Sequence, residues 1–367
     1  HVKPPFTYTT SGGVDMMRKM FAGGNSGRGF YSLFDQMFGE HIEEIFLLKG
    51  GPGTGKSTLM RAIAQFALDN GYPVELFYCA SDPDSLDGVV LPLQRAGVVD
   101  ATAPHVQDPF LPGCREEIIN LGENWDRSVL IQSKSEISSL TVANKAAYAR
   151  AYRFLRAAEE MEELWAAINE KYIDKTELNS IVNMIIAELP FNGRYEIDLS
   201  SIGERHLFAS AITPSGYVSH IESLVRDYQR RYILRCAPGV GSDLIFSSLI
   251  DAARLGGYYI EVFHRPLIPS KIEHVLVPEL GMAVVSDTDP LGVDLQGTII
   301  DLTVNIKKEA VPQKVKDLYG ELLNEGVAQL REAKAVHDEL ERYYVNAIDF
   351  NGVEAVGSML HSRIFSS

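Results

Sequence analysis

Gly50-Gly51-Pro52-Gly53-Thr54-Gly55-Lys56-Ser57 matches the spacing G-x-x-x-x-G-K-[ST] at every fixed position. In a loop of this pattern the glycines free backbone N–H groups to converge on phosphate oxygens. The lysine reaches the terminal phosphates, and the hydroxyl beside it ligates Mg²⁺. Such a loop works only between a buried strand and a helix, and both flanks are present. Ile45-Phe46-Leu47-Leu48 is a short apolar run suited to a parallel strand covered on both faces. After Ser57, the residues Leu59, Ile63, Phe66 and Ala67 recur at helical spacing, and Asn70-Gly71 supplies a stop. The N-terminus of that helix adds partial positive charge where the phosphates are expected.

The same stretch occurs twice. From Leu48 to Pro104 the chain aligns without a gap on Leu234 to Pro290, with identities that include Pro52/Pro238, Gly53/Gly239, Gly55/Gly241, Gly71/Gly257, Glu75/Glu261 and Phe77/Phe263. Upstream, with the register shifted by one residue, Arg18, Phe21 and Gly29 meet Arg205, Phe208 and Gly216. Near the end of each copy Ile173-Asp174 meets Ile348-Asp349. Each copy thus spans a whole domain, 1–190 and 191–367, with the boundary near Leu189-Pro190 and a turn signal at Asn192-Gly193.

Within one copy the order reads strand, glycine loop, helix, strand (Val74 to Tyr78), loop, strand (Gly97 to Val99) and further α/β elements. That alternation predicts an α/β fold of two tandem domains, each a mostly parallel sheet with helices on both faces and ligands at the carboxyl ends of the strands. Each domain also carries a long helical insertion or hairpin. One apolar stripe runs from Tyr148 through Leu155 and Ala158 to Trp165 and Tyr172, and a second from Val315 through Leu330 to Tyr344.

Of the 367 residues 46% are hydrophobic, enough for a sizeable core, and the net charge of −15 disfavours a nucleic-acid backbone as partner. Three cysteines, Cys79, Cys114 and Cys236, form neither an even disulfide set nor a C-x-x-C pair, which suits a reducing cytoplasm. No apolar run approaches the about 20 residues that span a bilayer, so no membrane partner is expected. The oligomeric state is open.

Comparing the copies locates the chemistry. Lys56 becomes Ser242 and Ser57 becomes Asp243, so the second loop is expected to be degenerate: a carboxylate there repels a triphosphate. Asp82 aligns with Ile268, Asp84 with Ser270 and Asp100 with Ser286. Asp100 ends an apolar strand, where an acid holds the water shell of Mg²⁺. Asp82 and Asp84 lie just after the Val74 to Tyr78 strand, where a carboxylate takes a proton from an acceptor hydroxyl or orients a water. A helix entry with a Ser or Asp cap is the alternative reading of that segment. His105 and Arg28 are further candidates near phosphate. The base-specificity motif N-K-x-D is absent, which leaves ATP as the default over GTP.

The Gly50 to Thr58 loop resembles that of the P-loop NTPase superfamily. F-A-G-G-N-S (from Phe21), S-D-P-D-S-L-D-G-V and D-A-T-A-P-H resemble segments of a group of internally duplicated bacterial ATPase-like proteins, over nearly the whole chain. The resemblance implies an ATP-binding fold in which Gly53, Gly55, Lys56, Ser57 and Thr58 touch nucleotide, beside the Gly51, Pro52 and Thr54 of the motif, and it implies no particular substrate. The expected activity is Mg²⁺-dependent ATP hydrolysis in the first copy, with Lys56, Asp100, Asp82 and Asp84 as candidate catalytic residues. A kinase for a small-molecule or nucleotide acceptor and a non-catalytic nucleotide sensor are the alternatives.

Overall fold

Alternation along one short strand builds two cores. Phe46 and Leu48 pack with Leu59, Met60 and Ile63 of the helix that follows the glycine loop, while Ile45 and Leu47 enter a separate cluster on the other face. The computed structural model describes residues 16–104, 106–190, 203–288, 295–306 and 311–366.

In the first half the order is β1 (Met17–Met20), β2 (Gly23–Ser26), β3 (Gly29–Ser32), β4 (Glu44–Lys49), α1 (Lys56–Asp69), β5 (Val74–Tyr78), β6 (Leu86–Leu91), β7 (Ala96–Asp100), β8 (Glu116–Asn120), α2 (Arg127–Gln132), α3 (Lys134–Glu170) and α4 (Lys175–Ile186). The second half follows the same plan as β9 (Glu204–Leu207), β10 (Ser210–Thr213), β11 (Gly216–Ser219), α5 (Ile221–Val225), β12 (Arg230–Cys236), α6 (Ser242–Gly256), β13 (Ile260–His264), β14 (Ile272–Val277), β15 (Met282–Thr288), β16 (Thr298–Asp301), α7 (Gln313–Val345) and α8 (Phe350–Phe365).

The main sheets are six-stranded and carry one topology twice, β1-β5-β6-β7-β4-β8 and β9-β13-β14-β15-β12-β16. All neighbours are parallel except around β6 and β14, which run antiparallel to both of theirs. The segment after Ser81 therefore leads into a strand and not into a helix. Every residue of Leu86–Leu91 is buried. Among the described residues no helix is long and apolar enough to cross a membrane, and the three cysteines are free.

The expectation of helices on both faces needs correction. One face of the first sheet carries α1, whereas its other face shares a single core with the second sheet, joining Leu47, Phe77 and Val99 to Phe263, Leu276 and Val285. Among the described residues only short helical turns, such as Phe34–Gln36 and α5, help to cover that inner side. A sheet face buried against another sheet needs the same apolar residues as one buried under a helix, so sequence does not separate the two.

The long helices do not form a hairpin within each half. α3 of the first half runs antiparallel to α7 of the second, with Leu155 against Gly326 and the Asn144 side chain donating to the Ala333 carbonyl. The helices that follow cross over as well. Leu178, Val182 and Ile185 of α4 complete the core around α6, and Val353, Leu360 and Ile364 of α8 complete the core around α1.

Candidate functional site

Parallel register brings the first loop and its acids together. Leu48 of β4 lies opposite Asp100 of β7, so residues 50–55 and Asp100 leave the sheet side by side at its carboxyl end. The loop turns through left-handed backbone at Gly53 (φ 68°) and Gly55 (φ 81°), conformations that cost a side-chain-bearing residue but not glycine. Gly55 also precedes α1 without a side-chain cap, leaving the first N–H groups of the helix open to an external acceptor.

Lys56 folds back over this loop. Its Nζ donates to the carbonyls of Gly50 at 2.9 Å and Gly51 at 2.8 Å and lies 3.5 Å from Asp100 Oδ2. The side chains of Lys56 and Asp100 are only 11% and 17% exposed, so little water screens the pair. Asp100 Oδ1 accepts from Thr102 N, and the Thr102 hydroxyl donates to the Gly50 carbonyl, tying the end of β7 to the start of the loop. Ser57 Oγ accepts from Leu86 N at 2.9 Å, which places the hydroxyl against the loop between β5 and β6. Thr54 is buried and donates to the Gly51 carbonyl, whereas Thr58 is exposed. Among the described residues no group of three or more His, Cys, Asp or Glu side chains converges on a metal position. Ser57 and Asp100 both place side-chain oxygens at the loop.

The remaining candidates separate. Asp82 accepts from Ser85 Oγ and pairs at 3.5 Å with Lys334, which α7 brings from the second half. Burial works against the Lys334 ammonium, yet its bond to Asp338 and the charge of Asp82 outweigh that and raise its pKa. Asp84 is exposed, and its backbone carbonyl accepts from Arg61. Arg28 is paired with Glu159 of α3. His105 lies outside the described residues. Burial, with Asp87 adding to it, pushes the Cys79 thiol well above its ordinary pKa, so it stays protonated and is no nucleophile.

The second loop repeats the backbone shape, with Gly239 (φ 74°) and Gly241 (φ 101°), and packs against the first half. A Cβ on Gly239 would stand 2.2 Å from the Ala166 carbonyl oxygen of α3, and one on Gly241 2.5 Å from Leu178. The buried Asn169 amide donates to the Pro238 carbonyl at 2.8 Å. Backbone and amide from the first half thus press on the loop that has lost its lysine.

Sequence reasoning did not reach the residues that other elements lend to the first loop. Trp125 and Tyr344 close on Gly51, and Glu341 and Val345 on Gly53. Extending the residue-by-residue comparison of the copies into the long helices is the signal that would have found Glu341. A cleft of about 510 Å³ on the face of β4 away from α1, lined by Phe34, Phe38, Leu47, Phe110 and Arg115 among others, contains none of the sequence-derived candidates among the described residues. No family model matches the chain, and neither a curated protein nor a solved structure does.

Proposed function

We propose that the first half binds Mg·ATP in the loop Gly50 to Ser57 and hydrolyses it, while the second half serves as a built-in, nucleotide-free partner. The observation that carries this reading is the Lys56 ammonium held over the loop carbonyls and 3.5 Å from Asp100, at the carboxyl edge of a mostly parallel sheet. Phosphate oxygens offer Lys56 better acceptors than its own loop carbonyls. In this reading Ser57 binds the metal, Asp100 holds its water shell, and Lys56 stabilises charge on the transferred phosphoryl group. The acceptor-kinase reading expects Asp82 or Asp84 as base; it is weaker because Asp82 is engaged by Lys334 and Ser85 and Asp84 is exposed.

Calorimetric titration of Mg·ATP into wild type and Lys56→Ala tests the reading. Charge-assisted contacts of about 1.5–3 kcal/mol predict affinity weakened about 10- to 100-fold in the variant. Equal affinity in the two proteins would remove Lys56 from the site. Phosphate release by the wild type then separates hydrolysis from sensing.

A further inference from the structure

One stripe of α7 faces the carboxyl edge of the first sheet. Lys334, Asp338, Glu341 and Val345 follow at helical spacing, and three of them, Lys334, Glu341 and Val345, meet the first half. Lys334 Nζ stands 3.5 Å from Asp82 and 2.7 Å from Asp338. Val345 Cγ2 and Glu341 Cγ lie 2.6 and 2.8 Å from where a Cβ on Gly53 would be. Among the described residues the Glu341 side chain makes no hydrogen bond and no ion pair. An acidic residue whose side-chain stem and backbone carbonyl pack on a glycine loop, with no cation to hold, calls for a reason.

The internal repeat supplies one. In the register that pairs Ile173 with Ile348, Glu341 corresponds to Ala166, the residue of α3 whose backbone presses on Gly239. Both positions pack on the equivalent glycine of a loop, Ala166 through its backbone and Glu341 through its Cγ and backbone carbonyl. The loop that has Ser242 and Asp243 is met by an alanine, and the loop that has Lys56 and Ser57 by a glutamate. The same pattern governs Asp100, which is Ser286 in the second copy. Lys56 marks where terminal phosphates are expected, because its ammonium rests on Gly50 and Gly51. Tyr344, in the same helical turn as Glu341, reaches Gly51 itself. The stripe therefore meets the loop at its terminal-phosphate end.

We propose that Glu341, carried by the second half, is the catalytic carboxylate that receives the proton of the attacking water in the first half's site. This rests on the nucleotide reading above. Water oxygen bonds to the γ-phosphorus as the bond from that phosphorus to the β,γ-bridging oxygen breaks, and the bridging oxygen leaves with the electron pair on ADP. The water proton passes to Glu341 and from it to solvent, so the products are ADP, phosphate and one proton. The arrangement gives the degenerate half a chemical task and makes hydrolysis depend on the contact between halves.

The test compares full-length wild type, Glu341→Gln and Glu339→Gln, a control at an exposed position of the same helix. Mg·ATP affinity and single-turnover phosphate release are measured for each, with the release rate followed against pH. Loss of a general base predicts Glu341→Gln binding within about threefold of wild type and turning over about 10²- to 10⁴-fold more slowly, without the acidic limb of the wild-type profile. Glu339→Gln should match wild type. Turnover by Glu341→Gln at the wild-type rate overturns the proposal, as does a wild type that binds ATP and releases no phosphate. A wild type that binds no ATP overturns the nucleotide reading itself, and this assignment with it.

Discussion

Arg18 and Arg205 meet Glu75 and Glu261 in a buried quartet at the centre of the molecule. Arg18 donates to both carboxylates, at 3.1 Å to Glu75 and 3.0 Å to Glu261, and Arg205 donates to Glu75 at 3.0 and 2.8 Å. These four positions were visible in the sequence as repeat identities, but nothing in it says that each arginine contacts the other copy's glutamate. Nor does the sequence mark His220, a loop residue whose ring stacks on Phe21 with centroids 5.0 Å apart. Burial, with Lys19 adding to it, pushes its pKa from 6.5 down to about 4, so the folded protein holds it neutral. Between those values the unfolded chain binds the extra proton. His220 therefore contributes stability above pH 6.5 that is lost as the pH falls towards 4, at up to about 1.4 kcal/mol per pH unit. Among the described residues its buried Nε2 has no hydrogen-bond partner, which makes phenylalanine a fitting replacement. Urea midpoints at pH 7 and pH 5 should lie closer together in His220→Phe than in wild type, and an unchanged gap contradicts this account of the residue.

At the scale of elements, periodicity was a good guide to what exists and a poor guide to what it touches. The strand read from Val74 to Tyr78 is β5 as found, the run at Gly97 to Val99 lies within β7, and the stripes beginning at Tyr148 and Val315 lie along α3 and α7, except that Tyr172 falls just past the end of α3. The antiparallel β6 was missed, since a strand buried on both faces has the same apolar run whichever way it points. The crossing of α4 and α8 was not legible either. An amphipathic stripe shows that a face is buried, not by which half. Each crossing helix buries three large apolar side chains in the other half's core. At about 1.5–3 kcal/mol per side chain, losing both sets removes about 10 kcal/mol or more, comparable to the whole stability of an ordinary domain. Residues 1–190 expressed alone should self-associate or melt without cooperativity, and co-expression with 191–367 should restore a cooperative one-to-one complex. Gel filtration with a thermal melt checks this, and a monomeric, cooperatively melting 1–190 contradicts it.

For the whole molecule, duplication has produced a near two-fold body whose halves differ mainly in chemistry. Phe21 and its repeat Phe208 pair with each other, N–H to carbonyl in both directions at 2.9 and 3.0 Å, and the quartet of Arg18, Glu75, Arg205 and Glu261 lies across the same axis. Each glycine loop sits beneath a helix lent by the other half, so the two loops are built alike and are physically linked. One keeps Lys56, Ser57 and Asp100 beneath Glu341; the other has Ser242, Asp243 and Ser286 beneath Ala166. The number of Mg·ATP molecules bound per wild-type chain, read by calorimetry at saturating nucleotide, tests this asymmetry most directly. One per chain is the predicted result. Two per chain would mean that the loop at Gly239 to Gly241 opens despite its packing, and none would contradict the nucleotide site altogether.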